Sequence, residues 1–435
     1  MVITKRGLIV SATAAALTAV TVTGAGLHLS QSQAFFQESP KELVDEVWQI
    51  INRSYVDATF NQVDWETVRQ DYLTRPYTNK EEAYTAIQEM LEQLGDPYTR
   101  FMNPEEFKNM QIDTSGELTG VGIQISQDEE TKQLIVISPI EDTPAFSMGI
   151  QARDAILKID GQSTEGMDIN EAVSLIRGPV GTEVTLTIER VLNEERGTKE
   201  TQDYKIRRER IELHPVRYSY QESPMGGVGY VRLTNFNAIA AEEMSDAIKD
   251  LEGQNVSGYI LDLRSNPGGL LHSSIEIARM WLDSGSIVST VNRIGEMDRQ
   301  SANGRALTNK PLVVLVDGGS ASASEILSGA LRDNERAVLV GTKTFGKGLV
   351  QSVRGLGDGS GLAVTIAKYL TPNGTDINHE GITPDVAIEL TEDQQKLLRG
   401  DRTLIGSAQD PQYTKAMEVL RQEIATARAR RIPAN

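Results

Sequence analysis

Between about Val216 and Leu390, near-continuous apolar runs alternate with helical stretches, and this alternation constrains the fold more than any other feature. Val228–Leu233, Tyr259–Leu263, Leu312–Val316 and Ala337–Val340 are the runs; Ala240–Leu251, Leu271–Leu282 and Glu325–Leu331 are the helical stretches between them. A strand without a polar face needs cover on both sides, and parallel strands need crossovers long enough to hold a helix. The segment is therefore expected to be a buried, largely parallel α/β sheet.

The flanking regions read differently. Residues from about 40 to 105 are expected to be helical. Leu43, Val44, Val47, Trp48 and Ile51 share one face, and Ala83, Ile87, Met90, Leu91 and Leu94 form a second stripe that stops at Gly95. From Gly116 to about Ile206, short strands at Val121–Ile125, Leu134–Ile137, Ala155–Ile159 and Val184–Ile188 are separated by turns such as Asp160-Gly161. Short helices at Ala145–Met148 and Asn170–Ile176 complete one compact module. The charged segment after Leu390, ending near Arg428, Arg430 and Arg431, reads as a solvated C-terminal helix.

The N-terminus has the pattern of an export leader. Lys5 and Arg6 precede the uncharged stretch Gly7–Gly26, and the small residues Ser32 and Ala34 stand at signal-peptidase spacing. Cleavage after Ala34 is expected. The competing reading is a retained anchor, since the uncharged run continues to about Phe36, but its Thr, Ser and Gly content favours the leader. A formal net charge of −18 argues against a nucleic-acid partner, because phosphate would be repelled. The absence of cysteine excludes thiol catalysis, disulfides and cysteine-ligated zinc, and only four histidines argue against a multi-histidine metal site. No metal or organic cofactor is expected.

Three glycine-rich turns follow strands of the α/β segment. The first, Gly318-Gly319-Ser320-Ala321-Ser322-Ala323-Ser324-Glu325, opens a helix. A serine at a strand-to-helix turn projects its hydroxyl from the sheet edge, and N–H groups at the helix start can stabilise an oxyanion. Ser322 with Glu325 also matches a capping box, which would make the serine only an N-cap. The second, Gly341-Thr342-Lys343-Thr344-Phe345-Gly346-Lys347-Gly348, offers a base. A free lysine is protonated at neutral pH, but burial depresses its pKa by several units and makes it competent. The flanking glycines favour Lys347, whereas Lys343 lies nearer the strand end; sequence spacing leaves both open, and a surface turn lysine is the bland reading of either. The third, Leu261-Asp262-Leu263-Arg264-Ser265-Asn266-Pro267-Gly268-Gly269-Leu270, can offer a free N–H to an oxyanion or be a tight turn. Active sites of open α/β sheets gather at the carboxyl ends of strands.

The set SASASEI, TFGKGLVQ and LDLRSNPGG resembles the carboxy-terminal processing peptidases, serine proteases that cut protein tails, over about residues 40–390. The resemblance implies a multidomain α/β fold: a crotonase-like ββα-type protease core, an inserted PDZ domain and an N-terminal helical domain. The chain is expected to divide into a leader at 1–34, helices at 35–108, the PDZ domain at 109–206, the core at 207–390 and a helical extension at 391–435. It implies Ser322 as nucleophile, Lys347 rather than Lys343 as base, Gln351 orienting that lysine, and Asp333 as an associated acid. Backbone N–H groups of Gly268 and Ala323 would form the oxyanion hole. The PDZ carboxylate-binding loop would be Leu118-Thr119-Gly120-Val121-Gly122-Ile123, and Arg177 would link that domain to the core. Expected partners are proteins or peptides with a free C-terminus, membrane-protein substrates among them.

The Asp96-Pro97-Tyr98-Thr99-Arg100-Phe101 segment is most similar to the branch in oxygenic photosynthetic organisms, where one member trims a photosystem reaction-centre precursor. Periplasm or thylakoid lumen, with or without membrane association, are the expected locations. The rival functions are an apolar-ligand-binding protein and a non-cleaving PDZ adaptor or chaperone on the same scaffold.

Overall fold

The computed structural model describes residues 39–431, apart from 129–130, 141–142, 194–197 and 296; the leader reading lies outside the described residues. The N-terminal part consists of α1 (Pro40–Ser54), α2 (Trp65–Thr74) and α3 (Lys80–Glu92), then β1 (Arg100–Met102) and α4 (Pro104–Ser115). Ser39 and Glu42 cap α1 reciprocally, with Pro40 in its first turn, so the helix starts where the sequence chemistry demands. Both expected stripes are buried, and they pack with Phe101, Leu362 and Val364 in one cluster.

The module that follows stands on a two-stranded stem, β2 (Glu117–Gly120) paired antiparallel with β9 (Glu209–Glu212). Its sheet runs in the order β3 (Ile123–Gln127), β4 (Leu134–Pro139), β5 (Ala155–Ile159), β7 (Glu183–Asn193), β8 (Thr198–Arg207), with β6 (Gln162–Ser163) against β5. Helices α5 (Pro144–Ser147) and α6 (Ile169–Ile176) lie where short helices are expected. The strand expected from Val121 begins instead at Ile123. Gly122 takes φ +83° and breaks the chain direction there, pressed so close to Thr143 that a Cβ would lie 2.3 Å from its side chain.

The main sheet has the order β10 (Val216–Gln221), β11 (Val228–Leu233), β12 (Gly258–Asp262), β15 (Leu312–Val316), β16 (Val338–Gly341), β19 (Val386–Ala387). All neighbours run parallel except β10 with β11. Helices α7 (Ala240–Gly253), α8 (Leu271–Trp281) and α9 (Ala323–Asp333) share a core with Tyr259, Leu261 and Val314 on one face.

The other face is covered by α11 (Pro411–Arg431), which follows α10 (Glu392–Gly400). Tyr413, Ala416, Val419, Leu420 and Ile424 of α11 pack on Ile260, Val313 and Leu315. The C-terminal helix is therefore not solvated all round, because its few apolar residues share one side among many charges. A second, antiparallel sheet joins β1, β18 (Gly361–Leu370), β13 (Ser286–Asn292) and β14 (Met297–Ser301), with β17 (Leu349–Gly355) also on β18. Through β1, the N-terminal helices are bound to the sheet that carries the second glycine-rich turn onward.

Candidate active site

Strands β12, β15 and β16 are adjacent and parallel, so the three glycine-rich turns emerge at one edge of the sheet. They are laced together. The Ala321 N–H donates to the Asn266 carbonyl at 3.1 Å, the Ser320 hydroxyl to the Leu263 carbonyl at 2.8 Å, and the Phe345 N–H to the Ser320 carbonyl at 3.1 Å. Asp317 accepts the Ser265 N–H at 2.8 Å.

Ser322 has φ +53° and ψ −112°, a backbone state that a non-glycine residue holds only when its surroundings impose it. Such a strained strand-to-helix turn exposes a serine at the top of a sheet. Gly268, at φ +104°, comes so near that a Cβ there would lie 2.7 Å from the Ala321 carbonyl and 3.0 Å from the Ser322 Cβ. Ala323 is the first residue of α9, where an N–H has no intrahelical acceptor. The Gly268 N–H donates to Asn266 Oδ1 at 2.9 Å.

Glu325, which sequence reasoning assigned only to a cap, holds this geometry together. It is wholly buried. Its Oε2 accepts the N–H groups of Ser322 and Lys347, each at 2.9 Å; its Oε1 accepts the Thr344 hydroxyl at 2.5 Å and the Gly346 N–H at 2.8 Å. A buried carboxylate is tolerated when N–H and O–H donors replace its water. Glu325 also caps the start of α9 by accepting the N–H of its N-cap residue, Ser322. A glutamate followed by a run of apolar and small residues was the available signal.

The loop places the two candidate lysines differently. Lys343 is exposed, with its Nζ 3.8 Å from Glu380. Lys347 is partly buried, its Nζ 4.6 Å from the centre of the Tyr98 ring. Burial pushes its amine below the ordinary lysine range, and the Arg100 charge adds to this, while Asp96 and Glu325 oppose it. Gly346 takes φ +92°, and its Cβ would lie 2.9 Å from the Gly381 N. The glycines flanking Lys347 thus let the loop press against residues 378–381.

Gln351 lies on β17 opposite Thr365 of β18, and its buried Nε2 has no hydrogen-bond partner among the described residues. Asp333 closes the far end of α9 from Ser322. It accepts from Arg332 at 3.0 Å and from the Asn373 N–H at 3.1 Å, a clasp on local structure. In the inserted module, Leu118 and Gly120 lie on β2, Val121 and Gly122 form the bend, and Ile123 starts the edge strand β3. Arg177, just past α6, donates to Asn109 of α4 at 2.5 Å and so ties the module to the rest of the chain.

The family models agree with this architecture. "Peptidase family S41" matches residues 227–388 and "PDZ domain" matches residues 135–190. A carboxyl-terminal-processing protease of Synechocystis sp. is 47% identical over 93% of this chain and 92% of its own. The chain belongs to peptidase family S41.

Among other S41 relatives, carboxyl-terminal-processing peptidase 3, chloroplastic, of Arabidopsis thaliana is 41% identical, covering 78% of this chain and 67% of its own. A carboxy-terminal processing protease of Bacillus subtilis is 35% identical over 86% of this chain and 76% of its own. Of solved structures, the photosystem II D1 C-terminal processing protease superposes with TM-score 0.57 at 36% identity, covering 86% of this chain and 99% of that one. This chain is a peptidase with a PDZ domain, of the C-terminal-processing kind. An S41 peptidase acts on protein substrates, which removes the apolar-ligand rival. Among the described residues, no group of His, Asp or Glu is placed to hold a metal ion.

Proposed function

We propose that Ser322 is the nucleophile and Lys347 its general base in cleavage near the C-terminus of protein substrates. The observation that carries this reading is the Glu325 carboxylate, which binds the backbones of both residues through one oxygen. The neutral Lys347 amine takes the Ser322 proton as Oγ bonds to the scissile carbonyl carbon. The C–N bond then breaks, the proton passes from Lys347 to the leaving amine, and an acyl-enzyme remains. Water attacks it, Lys347 takes that proton, and the new C-terminus leaves as Ser322 recovers its own. The oxyanion is held by the N–H groups of Ala323 and Gly268, the latter exchanging Asn266 Oδ1 for the charged oxygen. Gln351, on the strand that follows the base loop, orients Lys347, and its buried Nε2 has no other partner among the described residues.

The PDZ module takes the free C-terminus at the 118–123 bend beside edge strand β3, raising the local concentration of the scissile segment. Substrates are proteins with accessible tails, membrane proteins among them. The enzyme works after export, in the periplasm or a thylakoid lumen. This is supported by the leader pattern and by plant relatives named chloroplastic. No described helix is long and apolar enough to cross a membrane. Mass spectrometry of tail peptides tests the reading: wild type should give a discrete truncated product, and Ser322→Ala and Lys347→Ala none. Undiminished cleavage by either variant would overturn the dyad.

A further inference from the structure

Part of the surroundings of Lys347 comes from outside the core that carries it. The turn Asp96-Pro97-Tyr98-Thr99, between α3 and β1, brings the face of Tyr98 to 4.6 Å from Nζ. The turn is fixed at several points. Asp96 accepts the Tyr98 N–H at 2.9 Å and the Thr99 hydroxyl at 2.7 Å. Thr99 Oγ1 accepts the Thr365 N–H at 3.0 Å, and Arg100 pairs with Ala363 across β1 and β18. Tyr98 has no part in the aromatic core of the helical domain, which uses Trp48, Tyr55, Trp65 and Phe101. Packing of its own domain therefore does not account for where the ring lies.

We propose that Tyr98 is a positioning residue for Lys347, its ring face covering one side of the amine, excluding water there and limiting the directions Nζ can take. The inference rests on the reading of Lys347 as the base. Arg100, which opens β1, disfavours a second positive charge; Asp96 on the turn and Glu325 on α9 favour it. The attraction of a tyrosine face for an ammonium opposes the loss of hydration that the ring causes, and burial is the largest influence on this amine. The N-terminal helical domain thus completes the catalytic centre as well as packing against it.

The test uses the full chain and two readouts. The first is the pH dependence of kcat/KM on a tail peptide. Tyr98→Ala should move the acidic limb up by about one unit, a roughly tenfold loss at neutral pH, while Tyr98→Phe leaves it in place. The second is independent of turnover: trace acetic anhydride labelling of Lys347 across pH, read by mass spectrometry in the Ser322→Ala background. Its midpoint should rise in Tyr98→Ala and in Arg100→Gln. A folded Tyr98→Ala protein that loses activity with neither midpoint moved would overturn the proposal, as would an unmoved labelling midpoint in Tyr98→Gln if Tyr98→Ala does not fold. Full activity of Lys347→Ala would remove the base assignment instead, while a labelling shift in Tyr98→Ala would still support the cover.

Discussion

The backbone N–H groups of Ser322 and Lys347 donate to the same carboxylate oxygen, Glu325 Oε2, at equal distances of 2.9 Å. One buried group therefore sets where the Ser322 turn and the Lys347 loop stand relative to each other. Glu325→Gln keeps the shape but replaces one oxygen by an NH2, which must face two donors in either orientation. Thr344 can rotate its hydroxyl to accept, but a backbone N–H is left unpaired. We expect a stability loss of about 1–3 kcal/mol and a fall in kcat/KM of about a hundredfold or more, because small misplacements of reacting groups are costly. Thermal denaturation and peptide cleavage measure the two; retained activity would show that the shared oxygen is not what aligns the site.

The lowered pKa of Lys347 has a defined sign in both activity and stability. With Lys347 as the proposed base, the neutral amine is the working form, so kcat/KM should rise with pH and level off below the pH at which a free lysine titrates. For stability, the unfolded chain binds the Lys347 proton in a window where the folded one does not, between the depressed folded pKa and the ordinary lysine value. Stability contributed by this group should therefore increase with pH across that window. Lys347→Met should flatten that part of the profile, as read by urea titrations at several pH values.

Gly268 is required by space and by backbone. At φ +104° and 2.7 Å from the Ala321 carbonyl, a Cβ would push apart the turns that carry Ser322 and the oxyanion donors. Gly268→Ala should abolish cleavage and lower stability by about 1–3 kcal/mol. Gly253, at the end of α7 with open space around it, is the control. Its change to alanine should leave cleavage untouched.

The last helix is joined to the catalytic edge by charge. Arg264, two residues past β12, donates to Asp262 at 2.6 Å and to Asp410 at 2.7 Å, all three buried. Removing one partner of a buried ionic group leaves the rest uncompensated. Asp410→Ala should therefore cost about 3–5 kcal/mol, seen as a lower urea midpoint. The reduction in kcat should be larger than for Lys415→Ala, whose partner Glu418 is exposed. Equal effects of the two changes would show that Asp410 matters no more than a surface charge.

Much of the core was legible along the chain. Val228–Leu233 and Leu312–Val316 are strands with the expected limits, because an unbroken apolar run has few other stable fates. The small helices of the inserted module were legible through turn residues. The antiparallel sheet built on β18 was not, since β1 and β13 reach β18 from far along the chain with no periodic signature of their own. Nor was the buried side of α11, where Tyr413, Leu420 and Ile424 are diluted by surrounding charge.

Local chemistry by itself determined that strands would end in glycine-rich turns carrying a serine and a lysine, because turns and apolar runs are properties of neighbouring residues. Tertiary structure decided what those residues meet. It separated Lys347 from Lys343, brought Tyr98 from the helical domain over the amine, and turned a helix-capping glutamate into the common acceptor for both halves of the site. Such pairings depend on how separate elements dock, and burial and electrostatics act through space without regard to order along the chain.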